Sequence, residues 1–488
     1  MQLFLLHSNE EDALALGREL NFPHGARLPA SLHDGAIIQY GDRNEASTGR
    51  LVFQHRSAVQ QARCPLQRET LLALHGIKTA RTYRSSQTAE VFDSTEDNSD
   101  GEHHFRGEHF STMYRVMVFQ LEMIAMFISS SPIWLRQDIS RSMIKPYLSS
   151  EFSDCNSYVS RKAKREAIKV IYALGLDYGV VTIGFSTNRD VLVVDVDPVP
   201  KWGDLLCKLV ADAMNRFAHA LKELSAPHIP VWLGADPEFI LQNEQGKVVP
   251  ASRFLAREGE VGCDAVIQVR GQVIRPLVEL RPPPSEHADE LTAHVHRAMQ
   301  GAAHMITDDQ LSWLSGGMPV KGFPLGGHIH FSRIWLNTDL LRTLDNYLAL
   351  PLLQLESESA AYRRPRYGFL GDFRRQPHGG FEYRTLPSWL ASPIVTRGVF
   401  ALAQCIANNY LSLRQRPLAL VQHQAAYYQG DRDSLYMVVM ELWRDLEQLA
   451  TYRNLIHAVA PLKHYIQMRY RWNECVDIRK SWKIHPFI

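Results

Sequence analysis

The stretch VWLGADPEFILQNEQGKVVPA, residues 231–251, carries Asp236 and Glu238 two apart within an apolar run and reads as a hairpin-like unit. Side chains two apart on a strand point to one face, so both carboxylates turn the same way. Three more predicted strands repeat that spacing. They place Glu279 and Arg281 in VELRP (278–282), His328 and His330 in GGHIHF (326–331), and Glu382 and Arg384 in FEYRT (381–385). One such pair is ordinarily the solvated face of an antiparallel sheet. Four of them, each with apolar neighbours, predict strands that share one polar face. Glycines 234, 326, 327, 379 and 380 beside them are expected to let a ligand approach the backbone.

Carboxylates on neighbouring strands repel unless something positive lies between them. Hard oxygens with an imidazole suit Mg²⁺ or Mn²⁺ bridging nucleotide phosphates. A catalytic zinc site built from His328, His330 and Glu382 stays open on the same residues, whereas a structural zinc lacks its Cys–His cluster. Between the third and fourth strands runs AYRRPRYGFLGDFRRQPHGGFEYR, residues 361–384, with Arg363, Arg364, Arg366, Arg374, Arg375 and Arg384. Guanidinium gives planar paired donors to phosphate or carboxylate. Next to a cation-binding acidic face, that meets the demand of phosphoryl transfer for positive charge on the transferring oxygens. Glycine-rich loops near 316–327 and 378–380 are expected to close over the reacting group.

At 488 residues the chain is longer than one hydrophobic core usually supports, so two or three domains are expected. Hydrophobic residues at 45% and charged residues at 22% are ordinary for a globular protein. Lys and Arg total 53 against 52 Asp and Glu, a net charge of +1, so no nucleic-acid partner is expected. The opening MQLFLLHSNEEDA lacks a basic region before its apolar run and does not read as a secretory signal. No window approaches the length of a bilayer span, which removes a membrane partner from the expectation. Six scattered cysteines without a CxxC pair read as thiols of a reducing cytoplasm. His294, His296 and His304 share one helical spacing and read as satisfied or surface histidines.

The first half, residues 1–225, reads as a mixture of strands and helices. Strands are predicted at AIIQY and RLVFQH, and helices at CPLQRETLLALHGI and SRKAKREAIKVIYALGL. YRVMVFQLEMIAMF alternates as a strand does, and GVVTIGFS with DVLVVDVDPVP predicts a hairpin. The polar, acidic segment 85–112 reads as a mobile loop. A helix over DLLCKLVADAMNRFAHALKEL ends this half, and SAPHIP is a credible linker. Residues 231–400 form the second domain and 401–488 a mostly helical extension of it, on which packing in cis or in a homo-oligomer is compatible.

The order GADPEF, VGCDA, VELRPPP, GGHIHFS, YRRPRYGFLGDFR and PHGGFEYRTLPSWL resembles the phage-type COOH–NH2 ligases of type 2 over about residues 231–400. These are amidoligases of the glutamine synthetase and glutamate–cysteine ligase superfamily. The resemblance implies an α+β fold with a curved antiparallel sheet holding divalent ions between ATP and substrate. It also implies that the ATP γ-phosphate passes to a carboxylate and an amine attacks the acyl phosphate, giving an amide or isopeptide bond on a small molecule, peptide or protein tail. By motif position it makes Asp236, Glu238, Glu279, His328, His330 and Glu382 metal ligands. Arg364, Arg374 and Arg384 become phosphate-facing catalytic cations, Arg363 and Arg366 contacts to ATP, and Asp264 the group that orients or deprotonates the amine. The first acidic position is Asp where glutamine synthetases have Glu.

In the first half, SAVQQARCPLQRETLLALHGIKTARTY and the segments from YRVMVF to DVLVVDVDPVP resemble an ATP-grasp domain. That resemblance implies Mg²⁺ ligands at Asp195 and Asp197. The lid lysines of such enzymes have no counterpart in the loop, and Lys145 in MIKPYL is the candidate substitute. The domain is therefore read as reduced, a substrate-docking module more than a second catalyst. Two rivals stand beside the ligase: a phosphagen-type guanidino kinase on a related sheet or another phosphotransferase, and a non-catalytic nucleotide-sensing or scaffold protein. The four carboxylates Asp236, Glu238, Glu279 and Glu382 favour the ligase over the kinase.

Overall fold

In a computed structural model, the structure describes residues 1–29, 32, 35–42, 50–81, 110–129, 144–148, 157–186, 188–201, 203–224, 230–269 and 272–487, with backbone alone at 111, 129, 144–148, 269 and 272. The chain divides into two compact units, Met1–His228 and Ile229–Ile488. Both mix helices with sheets, an α+β organisation. Of the segment 85–112 predicted as a loop, residues 110–112 instead begin the strand Phe110–Phe119, and the rest, with most of the SAPHIP linker, lies outside the described residues.

The first unit holds two sheets. Strands β1 (Leu3–Leu6), β2 (His24–Gly25), β3 (Ala36–Gln39) and β4 (Leu51–Phe53) form a parallel sheet in the order β2-β1-β3-β4. The opening apolar run is thus a buried strand, with LFLL enclosed on both faces as parallel strands are. Strands β5 (Phe110–Phe119), β6 (Glu122–Ser129), β7 (Ile144–Leu148), β8 (Tyr178–Ser186) and β9 (Val191–Asp197) form an antiparallel sheet ordered β7-β6-β5-β8-β9. The alternating YRVMVFQLEMIAMF is two strands rather than one. It breaks at Gln120, whose φ of +56 begins a tight return into β6. The hairpin predicted around Arg189 joins β8 to β9, and helices Tyr158–Ala173 and Asp204–Glu223 form where amphipathic periodicity predicts them.

The second unit is built on one antiparallel sheet. Its strands are β10 (Trp232–Gln242), β11 (Val248–Val249), β12 (Val261–Asp264), β15 (Leu277–Leu280), β16 (Ser312–Leu314), β17 (Gly327–Ser332), β18 (Phe373–Arg375) and β19 (Phe381–Tyr383). The main path runs β12-β15-β10-β17-β19-β18, with β11 and β16 paired to the far end of β10. A separate hairpin joins β13 (Ile267–Val269) to β14 (Gln272–Ile274). The run QVIRPLVELRP, predicted as one strand, divides there because Pro276 has no N–H for the ladder. Helix Ala288–Met305 packs beside the sheet and helix Pro393–Asn409 packs on that helix, with Leu291, Val295, Met299, Val399 and Ile406 fully enclosed. Past residue 400 the chain is helical and belongs to the same unit. Among the described residues no helix is long and apolar enough to cross a membrane.

Candidate active site

Strand register turns four sequence pairs into one polar face. Asp236 on β10 stands opposite His328 on β17, and Gly234 opposite His330. His330 in turn stands opposite Glu382 on β19, and Glu382 opposite Arg374 on β18. On the other side of β10, Glu238 faces Glu279 on β15, and Glu279 faces Gly262 on β12. Directly opposed residues share a face, so the six residues of the second unit predicted as metal ligands lie side by side across four strands.

The side chains converge most tightly at Asp236, His330 and Glu382, which offer ligand atoms all within 4.8 Å of one another. Among the described residues no other group of three or more His, Cys, Asp or Glu side chains does so. His328 Nδ1 lies 3.0 Å from Asp236 Oδ1 and 3.1 Å from Glu382 Oε1, and His330 Nε2 lies 3.2 Å from Asp236 Oδ2. These are ion-pair distances without hydrogen-bond alignment. Asp236 Oδ1, His328 Nδ1, His330 Nε2 and Glu382 Oε1 are all buried with no hydrogen-bond partner. Buried polar atoms left this way are rare in native proteins. A divalent cation held by Asp236, Glu382 and His330 would satisfy ligand atoms of this kind, so these three residues fit the metal that the sequence implies.

Electrostatics divides the acids into two kinds. Burial opposes the charge of His328, but Asp236, Glu382 and Glu238 prevail and hold its imidazolium up to about 10. Against the same burial, His328 and His330 keep the Asp236 carboxyl well below the usual range, and His328 with Arg384 keeps Glu382 low. Glu238 and Glu279 behave oppositely. Burial raises both, and the charge of Asp236 helps push Glu279 up to about 8. This side of the face thus presses two acids together with too little positive charge, which an added cation relieves.

The arginines separate according to what they touch. Arg374 Nε sits 2.6 Å from Glu382 Oε2, joined by Gln376 Nε2 at 3.1 Å, and Arg384 Nε lies 3.0 Å from Glu382 Oε1. Both arginines keep partial exposure, 56% and 35% of the side chain, so they border the cluster and still meet solvent. Gln376 is a contact the sequence reading missed. Only its place opposite the strand turn reveals it.

The structure does not bring Arg363, Arg364 and Arg366 into the cluster. Arg364 is buried in an ion pair with Glu356, 2.8 Å from Oε2, and stacks over Tyr427. Arg363 is buried against main chain, donating to the carbonyls of Thr385 at 2.8 Å and Arg384 at 3.3 Å. Arg366 is exposed beside Tyr367. Within one arginine-rich run, some guanidiniums build the fold and others face the acids.

Asp264 ends β12 in an exposed position on the same face as Glu279. Arg281 pairs with Glu279 and donates to the carbonyls of Arg257 and Gly259 at 3.1 and 3.2 Å. The glycines serve the protein more than a ligand. A Cβ on Gly326 would fall 2.2 Å from His328 Nε2, and one on Gly327 would fall 2.4 Å from the Pro387 carbonyl. Gly379, with open space around it, is the position that fits the expected access. The predicted closing loop is also anchored at its start, because buried Glu474 accepts Gly317 N–H at 2.6 Å and Met318 N–H at 3.3 Å. His294 and His296 are satisfied, by the Pro283 and Trp482 carbonyls at 2.7 and 3.2 Å.

In the first unit, Asp195 is exposed with Arg68 3.8 Å away, and Asp197 accepts Val199 N–H at 3.1 Å. Burial raises Asp197 above the usual carboxylate range. Lys145 lies on β7, and its side chain is outside the described residues.

A family described as Phage phiEco32-like COOH.NH2 ligase-type 2 matches residues 233–484, just over half the chain. No curated protein sequence matches. Among solved structures, the chain is similar to the ATP-grasp ligase PsnB complexed with minimal precursor, at 10% identity over 44% of this chain and 98% of that one, with a TM-score of 0.28. A bifunctional glutathione synthetase from Pasteurella multocida matches at 10% identity over 52% and 48%, with a TM-score of 0.33. The macrocyclase MdnC bound with precursor peptide MdnA, from Microcystis aeruginosa MRC, matches at 8% over 44% and 100%, with a TM-score of 0.29. Likeness at that level carries no argument about activity.

Proposed function

Because the chain belongs to the phage phiEco32-like COOH.NH2 ligase-type 2 family, we propose that its second unit is an ATP-dependent carboxylate–amine ligase working through an acyl phosphate. The observation that carries this reading is the convergence of Asp236, His330 and Glu382, with Arg374 and Arg384 on the same carboxylate. Asp236, His330 and Glu382 would hold a divalent cation, Mg²⁺ or Mn²⁺, with His328, Glu238 and Glu279 lining the same face. When bound, that cation would neutralise the phosphate oxygens of ATP.

The chain's own residues supply the rest. Arg374 and Arg384 border the cluster, where they can turn from Glu382 to the equatorial oxygens of the phosphoryl group in flight. The substrate carboxylate attacks the γ-phosphorus, ADP leaves, and the acyl phosphate forms. The amine then attacks the acyl carbon, inorganic phosphate departs, and the amine proton passes to a base. Asp264, exposed on the same face, is the carboxylate placed to take it. The products are an amide, ADP and phosphate. The substrates proposed are a carboxylate and an amine, on small molecules or on a peptide.

We read the first unit as a reduced ATP-grasp-like domain that docks substrate, with Asp195 and Asp197 as its residual acidic pair. Free thiols at Cys64, Cys207, Cys263, Cys405 and Cys475 suit a cytoplasmic protein.

The test is nucleotide product analysis with Mg²⁺ and a pool of amino acids, polyamines and short peptides, beside an Asp236→Asn variant. ADP and phosphate released only with particular carboxylate–amine pairs, and lost in the variant, are the expected result. ATP turnover that ignores every amine and instead phosphorylates a guanidino compound would replace the ligase by a kinase.

A further inference from the structure

The second unit also contains a cavity of about 70 Å³ whose wall includes Arg364, Arg432 and Arg471 with Glu356, Glu358 and Gly430. None of the side chains around Glu382 lines it. Arg364 and Arg432 are 8% and 9% exposed, and the Nε–H of each is buried without a hydrogen-bond partner. Other nitrogens of both are engaged. Arg364 pairs with Glu356, and Arg432 Nη1 donates to the Gln354 carbonyl at 2.6 Å. Arg471 reaches Glu358 Oε1 at 2.7 Å, but the Glu358 side chain is 85% exposed, so water screens most of that pair.

Charge on the wall is therefore unbalanced: three guanidiniums face one buried carboxylate and one that lies in solvent. Arg432 also opens the helix Arg432–Glu447, whose amino end adds partial positive charge. The N-cap Asp431 directs its carboxylate to Ser434, 3.1 Å from N and 2.5 Å from Oγ. Burial, with Arg471 as a like-charged neighbour, makes the Arg432 cation less favourable than an ordinary one. An anion between the two removes that penalty.

We propose that this cavity is a second ligand site that binds one small tetrahedral oxyanion of the phosphate class. At about 70 Å³ the cavity has room for a small oxyanion. Arg364, Arg432 and Arg471 line it together, and guanidinium is the side chain whose paired donors suit phosphate. Arg363, the residue before Arg364, holds the carbonyls of Arg384 and Thr385. One dipeptide thus touches both the oxyanion cavity and the two residues that follow the strand of Glu382.

The experiment titrates inorganic phosphate against chloride at constant ionic strength, with metals chelated, and reads thermal stability and heat of binding in the full chain. Wild type should show saturable phosphate binding. Arg471→Gln, a change at a half-exposed side chain, should weaken it at least tenfold, whereas Arg374→Gln should leave it unchanged. Glu358→Gln removes a competing carboxylate and should tighten binding severalfold, which gives a reading in the opposite direction should Arg471→Gln disturb folding. No phosphate effect beyond chloride, or an effect lost with Arg374→Gln and untouched by Arg471→Gln, would overturn the proposal.

Discussion

Glu382 has no exposed surface and lies against His328, Arg374 and Arg384, so its carboxylate is both a candidate ligand and the counter-charge of three cations. Removing one partner of a buried pair leaves the others uncompensated, at about 3–5 kcal/mol. Glu382→Ala is therefore expected to lower the melting temperature as well as activity. Glu382→Gln keeps the shape and should fold while losing turnover by at least two orders of magnitude; a folded Gln variant with full ATP turnover would remove Glu382 from the chemistry. Glu279 allows a pH test. Its folded pKa of about 8 lies above the ordinary carboxyl value near 4.3, so the fold holds its proton longer than the unfolded chain does. Its contribution is therefore greatest below pH 4 and is lost as pH rises toward 8. In chelated protein, Glu279→Gln should match wild type near pH 5 and melt several degrees higher at pH 8, an advantage that Mg²⁺ erases. Equal melting temperatures at both pH values would show that Glu279 titrates normally.

Among elements, the loop Gly316–Met318 depends on Glu474, which is far away in sequence. Glu474→Ala should free the Gly317 and Met318 amides, costing about 1–3 kcal/mol for buried groups left unsatisfied. Hydrogen exchange at those two amides should rise above that of β17, and unchanged protection would show that the loop is held otherwise. The polar face was legible in the sequence because antiparallel strands convert a spacing of two into a shared side. Once Asp236, Glu279, His328 and Glu382 each fall on a strand, the sheet does the rest. The arginines were not legible. Arg364 and Arg374 occupy one run of similar composition, and only the path of residues 356–364 decides that Arg364 meets Glu356 while Arg374 meets Glu382. The glycines misled for a related reason: a missing side chain marks a close approach without saying whether ligand or protein makes it, and at Gly326 and Gly327 it is His328 and Pro387. Glu474 and Gln376 left no local signal, since each acts through a contact set by the folded chain.

Across the second unit, the C-terminal segment packs into the same core as the sheet. Trp472 N–H reaches the Leu355 carbonyl at 3.0 Å, Trp482 Nε1 the Leu390 carbonyl at 2.8 Å, and buried Arg479 the carbonyl of Leu311. Ending the chain after Arg471 is expected to abolish the cooperative melting of this unit and its stabilisation by Mg²⁺, which calorimetry with and without the ion would measure. Retention of the Mg²⁺ response in the shortened chain would show that the sheet stands without the segment. The hairpin of β18 and β19 has a longer-term consequence. Glu382 faces the acids while Phe381 and Tyr383, one step either side, are buried in the opposite layer, where Tyr383 Oη donates to Asp345 at 2.7 Å. Shifting this strand by a single position would trade the carboxylate for an aromatic ring and damage catalysis and core at once, and a shift by two would bring Gly380 or Arg384 to its place. Across descendants of this gene, length changes between Gln376 and Gly380 should therefore survive only where the turn absorbs them and Glu382 keeps its place opposite His330.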